Sequence, residues 1–359
     1  MRHRRSAVRV LVSAVIALPL GTAAAAPAAA QEGCPPVTDR WELVDLGFTG
    51  EVADINDSGQ IVGTLRGGEN DRRAFVWQDG RLTVLSTLGG FLGSSATGID
   101  DEGRITGYSE SSADQKIHAV LWENGRLRDL GALGGRAAFP EEIEHGVVVG
   151  QVSVDGAPRG KDARAFMWRD GRTTRLGVVP GSRAVAVNGA GQVAGVHRIA
   201  AGFPSPYERT DHAFVWQNGV TRDLGTLGGN WSTVSAINDR GQVLGDSALG
   251  SDGVHKRAFV WSAETGMEPV REDGGTALPR DINNDGVIVG QYGCDASPYG
   301  PAHPAVWADA DASPLLLPAP SEWPSYYATD MNDRGEIVGG SHDGVGYPRP
   351  ALWRPKPAG

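Results

Sequence analysis

Lysine is almost missing from this chain, with four in 359 residues. Long apolar runs are missing beyond the first thirty residues, helix-favouring stretches are few, and cysteine occurs only as Cys34 and Cys294. Each scarcity excludes something. Nucleic acid and anionic membrane demand clustered lysine and arginine, and the chain instead carries a net charge of −10, so neither is expected as a partner. With no later apolar stretch able to span a bilayer, membrane insertion is not expected. Few helix formers beside 51 glycines point to tight turns and an all-β protein.

What is present begins with a leader. Arg2, Arg4, Arg5 and Arg9 precede an apolar stretch over residues 10–20, and a run of alanines ends at Ala28-Ala29-Ala30. This is the pattern of a secretory signal peptide over residues 1–30, cleaved near Ala30. Arg4-Arg5 leaves Sec and twin-arginine export both open. Without the leader's four arginines the charge of −10 becomes −14. The mature protein is expected outside the cell, where two cysteines default to one disulfide.

Seven tryptophans then recur with little variation: Trp77, Trp122, Trp168, Trp216, Trp261, Trp307 and Trp353, separated by 45, 46, 48, 45, 46 and 46 residues. Such a period signals one supersecondary unit repeated. The unit reads as four short strands. Ser235–Asn238 alternates apolar and small side chains, Asp239-Arg240-Gly241 turns the chain, and Gln242–Asp246 returns. A variable loop leads to the strand that ends at the tryptophan, and an Asn-Gly or Asp-Gly hairpin turn leads to the fourth. Four antiparallel strands per copy suit a propeller blade. The last copy stops after three strands, while Trp41-Glu42-Leu43-Val44-Asp45-Leu46-Gly47 stands alone before the first and matches the fourth-strand pattern of Arg222-Asp223-Leu224-Gly225. The expected fold is a seven-bladed β-propeller over residues 41–355, its ring closed when the N-terminal strand completes the last blade. Residues 31–40 form an N-terminal segment and 356–359 a tail.

The blocks His212-Ala213-Phe214-Val215-Trp216, Asp223-Leu224-Gly225-Thr226-Leu227-Gly228-Gly229 and Ser235-Ala236-Ile237-Asn238-Asp239 resemble the extracellular HAF repeat family. The resemblance spans about residues 41–353 and implies secretion and a repeat fold. It brings no activity, so it assigns no catalytic residue.

Four residues before each tryptophan stand Arg73, His118, Arg164, His212, Arg257, His303 and Arg349. Alternation of His with Arg argues against metal binding, because a guanidinium is not a ligand. Both side chains donate to a carboxylate or carbonyl, so a structural partner such as Asp129 or Asp223 is expected. The tryptophans are expected to pack between blades. Asp281–Gly286 matches the start of a calcium loop, but its twelfth position is Tyr292 and the later ligand positions are apolar. Asn and Asp favour such turns by bonding their own backbone. No metal, cofactor or catalytic residue is expected.

The tight turns share one face, and the long, variable connections share the other, where binding residues concentrate. Candidate ligand contacts on that loop face are Trp231, Trp323, Tyr326, Tyr327, Phe203 and Tyr207, with a glycan or a protein as the extracellular partner of a monomeric binding module. The alternative is a hydrolase or lyase acting on a polysaccharide through loop-face acids such as Glu141, Glu142, Asp211 and Asp252. Pairing of Cys34 with Cys294 stays open, because residues 35–40 would have to run nearly extended to bring them together.

Overall fold

The computed structural model describes residues 34–67, 72–156, 162–176, 179–199, 210–250, 255–294, 302–320, 325–342 and 347–357. The signal peptide expected over residues 1–30 lies outside the described residues. Among those described, every regular element is a strand, and no helix is long and apolar enough to cross a membrane.

The strands form five four-stranded sheets and one eight-stranded sheet, with the strands of each repeat adjacent in chain order. The eight-stranded sheet consists of two repeats joined by one parallel pair, Ala137 with Ile117. Ser232–Ile237, Val243–Ala248, Lys256–Ser262 and Gly266–Pro269 illustrate the unit. Asn238–Gly241 makes the first turn, and Gly241 takes a φ of 74° that a side chain would strain. In the second strand, Gly245 is required for a different reason. A Cβ there would lie 1.9 Å from the Thr233 carbonyl oxygen, so only glycine lets the first strand come this close.

The sheet at the end of the chain is completed from its beginning. Trp41–Asp45 pairs antiparallel with Arg349–Pro355, from Trp41 opposite Pro355 to Asp45 opposite Ala351. The Trp41 indole donates to the Gly335 carbonyl at 2.8 Å, and Arg349 Nη2 meets Asp45 Oδ2 at 2.7 Å. His118 Nδ1 reaches Asp129 at 2.9 Å and His212 Nδ1 reaches Asp223 at 3.0 Å, so the N-terminal strand supplies the same aspartate as its counterparts. Arg257 pairs instead with Glu272, and Arg164 donates to the carbonyls of Asp162 and Ala163.

The core lies between sheets. The seven tryptophans are at most 9% exposed, and each belongs to a different apolar cluster shared by two successive repeats. Trp77 packs with Val338 and Leu352, which joins the first repeat to the last. Trp122, Trp307 and Trp353 donate to the carbonyls of Ser86, Arg271 and Pro318, so the indole N–H is satisfied where the ring is buried. Arg128 and Arg222 lie over the faces of Trp168 and Trp261 at 5.0 and 4.9 Å.

Cys34 and Cys294 form a disulfide with 4.9 Å between their Cα atoms. No strained crossing is needed. Residues 36–38 lie beside Leu315–Leu316, with Thr38 N donating to Leu316 O and Leu316 N to Pro36 O. The segment is thereby held along the sheet that carries Cys294.

Candidate functional site

Each first strand carries a bulge at the same place, two residues before the turn. Register shifts fall between Val52 and Asp54, Ala96 and Gly98, Pro140 and Glu142, Ala184 and Ala186, Val234 and Ala236, Pro279 and Asp281, and Ala328 and Asp330. A bulge inserts one residue and re-aims the side chain next to it. Asp54, Glu142, Asp281 and Asp330 line a single pocket of about 390 Å³ between the first strands, together with residues of the Asn-Asp turns. Nine carboxylates and His145 line it, with no lysine or arginine.

The turns that surround the pocket are laced from one repeat to the next. Asn56 Nδ2 donates to Asp100 O, Asn188 Nδ2 to Asn238 O, Asn238 Nδ2 to Asn283 O, and Asn332 Nδ2 to Asn56 O, all at 2.9–3.0 Å. A second set lies at the rim: the Asp57 carboxylate accepts Asp333 N, Asp101 accepts Asp57 N, Asp239 accepts Gly189 N, and Asp333 accepts Asn284 N. This lacing explains the apparent calcium loop at Asp281–Gly286. Asn283 Oδ1 accepts the N–H groups of Asp285 and Val287, and Asn284 Oδ1 accepts Asp239 N, so the amide oxygens of that loop serve the turns.

Deeper in the pocket the aspartates divide their oxygens. Asp54 Oδ2 accepts Ile99 N at 2.7 Å, Asp330 Oδ2 accepts Ile55 N at 2.8 Å, and Asp281 Oδ2 accepts Met331 N at 3.1 Å. The three carboxyls are electrostatic neighbours, Asp281 of Asp330 and Asp330 of Asp54, so each disfavours the charge of the next. Burial raises Asp54, Asp330 and Glu142 well above the usual carboxylate range, and neighbouring negative charge raises them further. Burial likewise lifts Asp281 to about 7 and Glu144 to about 7, the latter opposed by His145, whose Nδ1 lies 2.8 Å from it.

Two of the aromatic residues expected to face ligand are buried instead. Trp231 and Tyr326 are 4% and 8% exposed, and Tyr326 packs edge-on against Trp353. Both are core, Tyr326 within the apolar cluster of Trp353. Tyr327 is partly buried and stacks on His342. Phe203, Tyr207 and Trp323 lie outside the described residues, as does Asp252. Asp211 pairs with Arg198, and Glu142, expected among the loop-face acids, lies instead in the central pocket. The pocket acids had one visible signal, an acid two residues before the turn in some copies only.

No family model and no curated protein matches the chain. Solved structures do. The β-propeller domain of the Trilobed protease from Pyrococcus furiosus, described as having an open velcro topology, superposes with a TM-score of 0.59 at 10% identity, over 86% of this chain and 96% of that one. The Pyrococcus horikoshii acylaminoacyl peptidase gives 0.55 at 13% identity, over 85% of this chain, which spans about half (51%) of the peptidase's length. YCF48 bound to D1 peptide gives 0.53 at 12% identity, covering 90% and 98%. At these identities the likeness defines the fold alone: the chain is a β-propeller.

Proposed function

We propose that this protein is a secreted, monomeric, non-catalytic binding module, a seven-bladed propeller of the HAF-repeat kind, which holds an extracellular protein through a cationic group placed in the central acidic pocket. The observation that carries the reading is the pocket itself, which nine carboxylates and His145 line without a lysine or arginine. Negative charge in a concave site focuses the field on an incoming cation. YCF48, a structural neighbour, is described bound to a peptide, which makes protein the partner class favoured over glycan. Burial of Trp231 and Tyr326 removes two of the six aromatic side chains offered as ligand contacts.

Closure of the ring is supported by the contacts between the ends of the chain. Asn332 and Asp333 bond to Asn56 and Asp57 in the same manner as other successive repeats, and Trp41–Asp45 fills the fourth place in the last sheet. Secretion is supported by the leader pattern and by the Cys34–Cys294 disulfide, a bond that persists in oxidising compartments.

The test is fluorescence anisotropy of an arginine-rich peptide against the mature chain in chelator, with a citrulline analogue as the uncharged control. Binding should weaken with salt, and Asp57→Asn/Asp333→Asn should lower affinity about tenfold or more, a loss of about 1.4 kcal/mol. Equal binding of the citrulline peptide would sink the reading.

A further inference from the structure

We propose that Cys34 and Cys294, once reduced to thiols, form a zinc site with His303 beside the fourth strand of the sixth repeat. None of the three lines the central pocket, so the proposal stands apart from the partner reading above.

Position in the repeat is the first argument. His118, His212 and His303 hold the same place, four residues before the tryptophans of the second, fourth and sixth repeats. His118 and His212 are met by Asp129 and Asp223, which stand opposite Val120 and Phe214, two residues before those tryptophans. In the sixth repeat the matching place, opposite Ala305, holds Leu316. His303 therefore keeps the imidazole without the carboxylate. Its Nε2 is enclosed and has no hydrogen-bond partner among the described residues. A buried polar atom left in this way is costly unless something joins it. Alternation of His with Arg argues against metal along the whole row, but not at the one copy that meets two sulfurs.

Geometry is the second argument. The two Sγ atoms and a ring nitrogen of His303 all lie within 4.8 Å of one another, and no other three such side chains come as close among the described residues. In a tetrahedral zinc site, bonds of about 2.0–2.3 Å set the donors roughly 3.5–3.8 Å apart. With Cα atoms 4.9 Å apart, side-chain rotation opens the sulfurs to that separation once the bond between them is broken. Two thiolates and an imidazole select zinc over calcium or magnesium, and water supplies the fourth ligand. Each of the three residues keeps part of its surface exposed, which lets a reductant reach the sulfurs.

Disulfide and metal are alternatives at one place. A water-soluble phosphine breaks the S–S bond with its own electron pair. Water supplies the oxygen of the resulting phosphine oxide and the two protons that end on Cys34 and Cys294. A dithiol does the same by exchange and ends as its own disulfide. Zinc then displaces both thiol protons to solvent, and its two charges match the two thiolates. Either link ties the N-terminal segment, whose Thr38 N and Pro36 O bond to Leu316, to the sixth repeat. In an oxidising compartment the disulfide makes this tie, and where a dithiol reduces it, zinc does.

Cobalt, which occupies zinc sites and absorbs light when thiolate binds it, tests the site on the phosphine-reduced, chelator-treated mature chain. A thiolate-to-cobalt charge-transfer band should saturate at one equivalent and disappear when zinc is added. Zinc should bind with a dissociation constant of about 1 μM or below. The disulfide form should show no band, which separates this site from any cation in the acidic pocket. His303→Gln should weaken zinc about tenfold or more, with an unchanged circular dichroism spectrum. His303→Arg, which introduces the side chain that four other repeats carry at this place, is the second variant and should do the same. A reduced chain that stays folded and gives no band overturns the proposal. So does either variant binding zinc as tightly as the wild type, or a reduced chain that unfolds with zinc present.

Discussion

The tryptophan that ends each third strand is the same in all seven repeats, whereas the residue after the bulge of each first strand is aspartate, glutamate, glycine or alanine. Both positions are inside the fold and both touch the neighbouring repeat. They differ in what the neighbour demands. A tryptophan fills a gap of fixed shape between two sheets, so every junction asks for the same side chain. The post-bulge position borders an open pocket, where shape is not constrained and a side chain is free to serve chemistry. In a repeat protein, constancy marks the scaffold, and departure from the repeat at a position aimed into a cavity marks the site.

The strongest way to break this comparison is to remove a scaffold element. Deleting residues 41–47 takes away the strand that pairs with Arg349–Pro355, the Asp45–Arg349 ion pair and part of two apolar clusters. It also leaves a bare sheet edge. The expected outcome is loss of cooperative thermal unfolding and association on size exclusion. A monomeric truncation with a wild-type midpoint would show that the last sheet does not need its fourth strand.

Next in size is Trp307→Ala. The ring is completely buried and its N–H is bonded to Arg271 O, so truncation should cost about 3–5 kcal/mol in denaturant titrations. Glu142→Gln should stay within about 0.5 kcal/mol of wild type, because the side chain borders the open pocket and fills no gap between sheets. Similar losses at the two positions would erase the distinction between scaffold and site.

The smallest effect is in pH. Asp281 and Glu144 keep their protons to about pH 7 in the folded chain but lose them near the ordinary carboxylate range when unfolded. Asp54, Asp330 and Glu142 are raised in the same direction. The unfolded state therefore binds fewer protons across this window, and stability falls as pH rises from about 4 to about 7. The melting midpoint should be higher at pH 5 than at pH 7.5, by about 2 °C for each kcal/mol involved. Asp330→Asn should flatten that slope, and a slope of opposite sign would contradict the raised carboxyls.

Much of the scaffold was legible in the residues alone. The tryptophan period, the four-strand unit and the Asp-Gly and Asn-Gly turns are local patterns, and the match of residues 41–47 to a fourth strand needed no coordinates. The pairing of His118 and His212 with Asp129 and Asp223 was legible because Arg replaces His elsewhere. The burial of Trp231 and Tyr326 was not. Both begin strands next to long loops, and only packing tells a loop residue from a core residue there. The acids of the pocket were hidden for another reason. Strict alternation along Gly50–Ile55 would not say where Asp54 points, because the bulge adds a residue and turns it toward the pocket.

By itself, then, the sequence determined the repeating unit, since hydrophobic alternation and turn chemistry act within a few residues. It also carried the match between the chain's first strand and the place missing from its last repeat. Only the tertiary structure decided that Asp54, Glu142, Asp281 and Asp330, taken from four separate repeats, share one pocket. Convergence depends on how the sheets pack around a common centre, and no spacing along the chain encodes it.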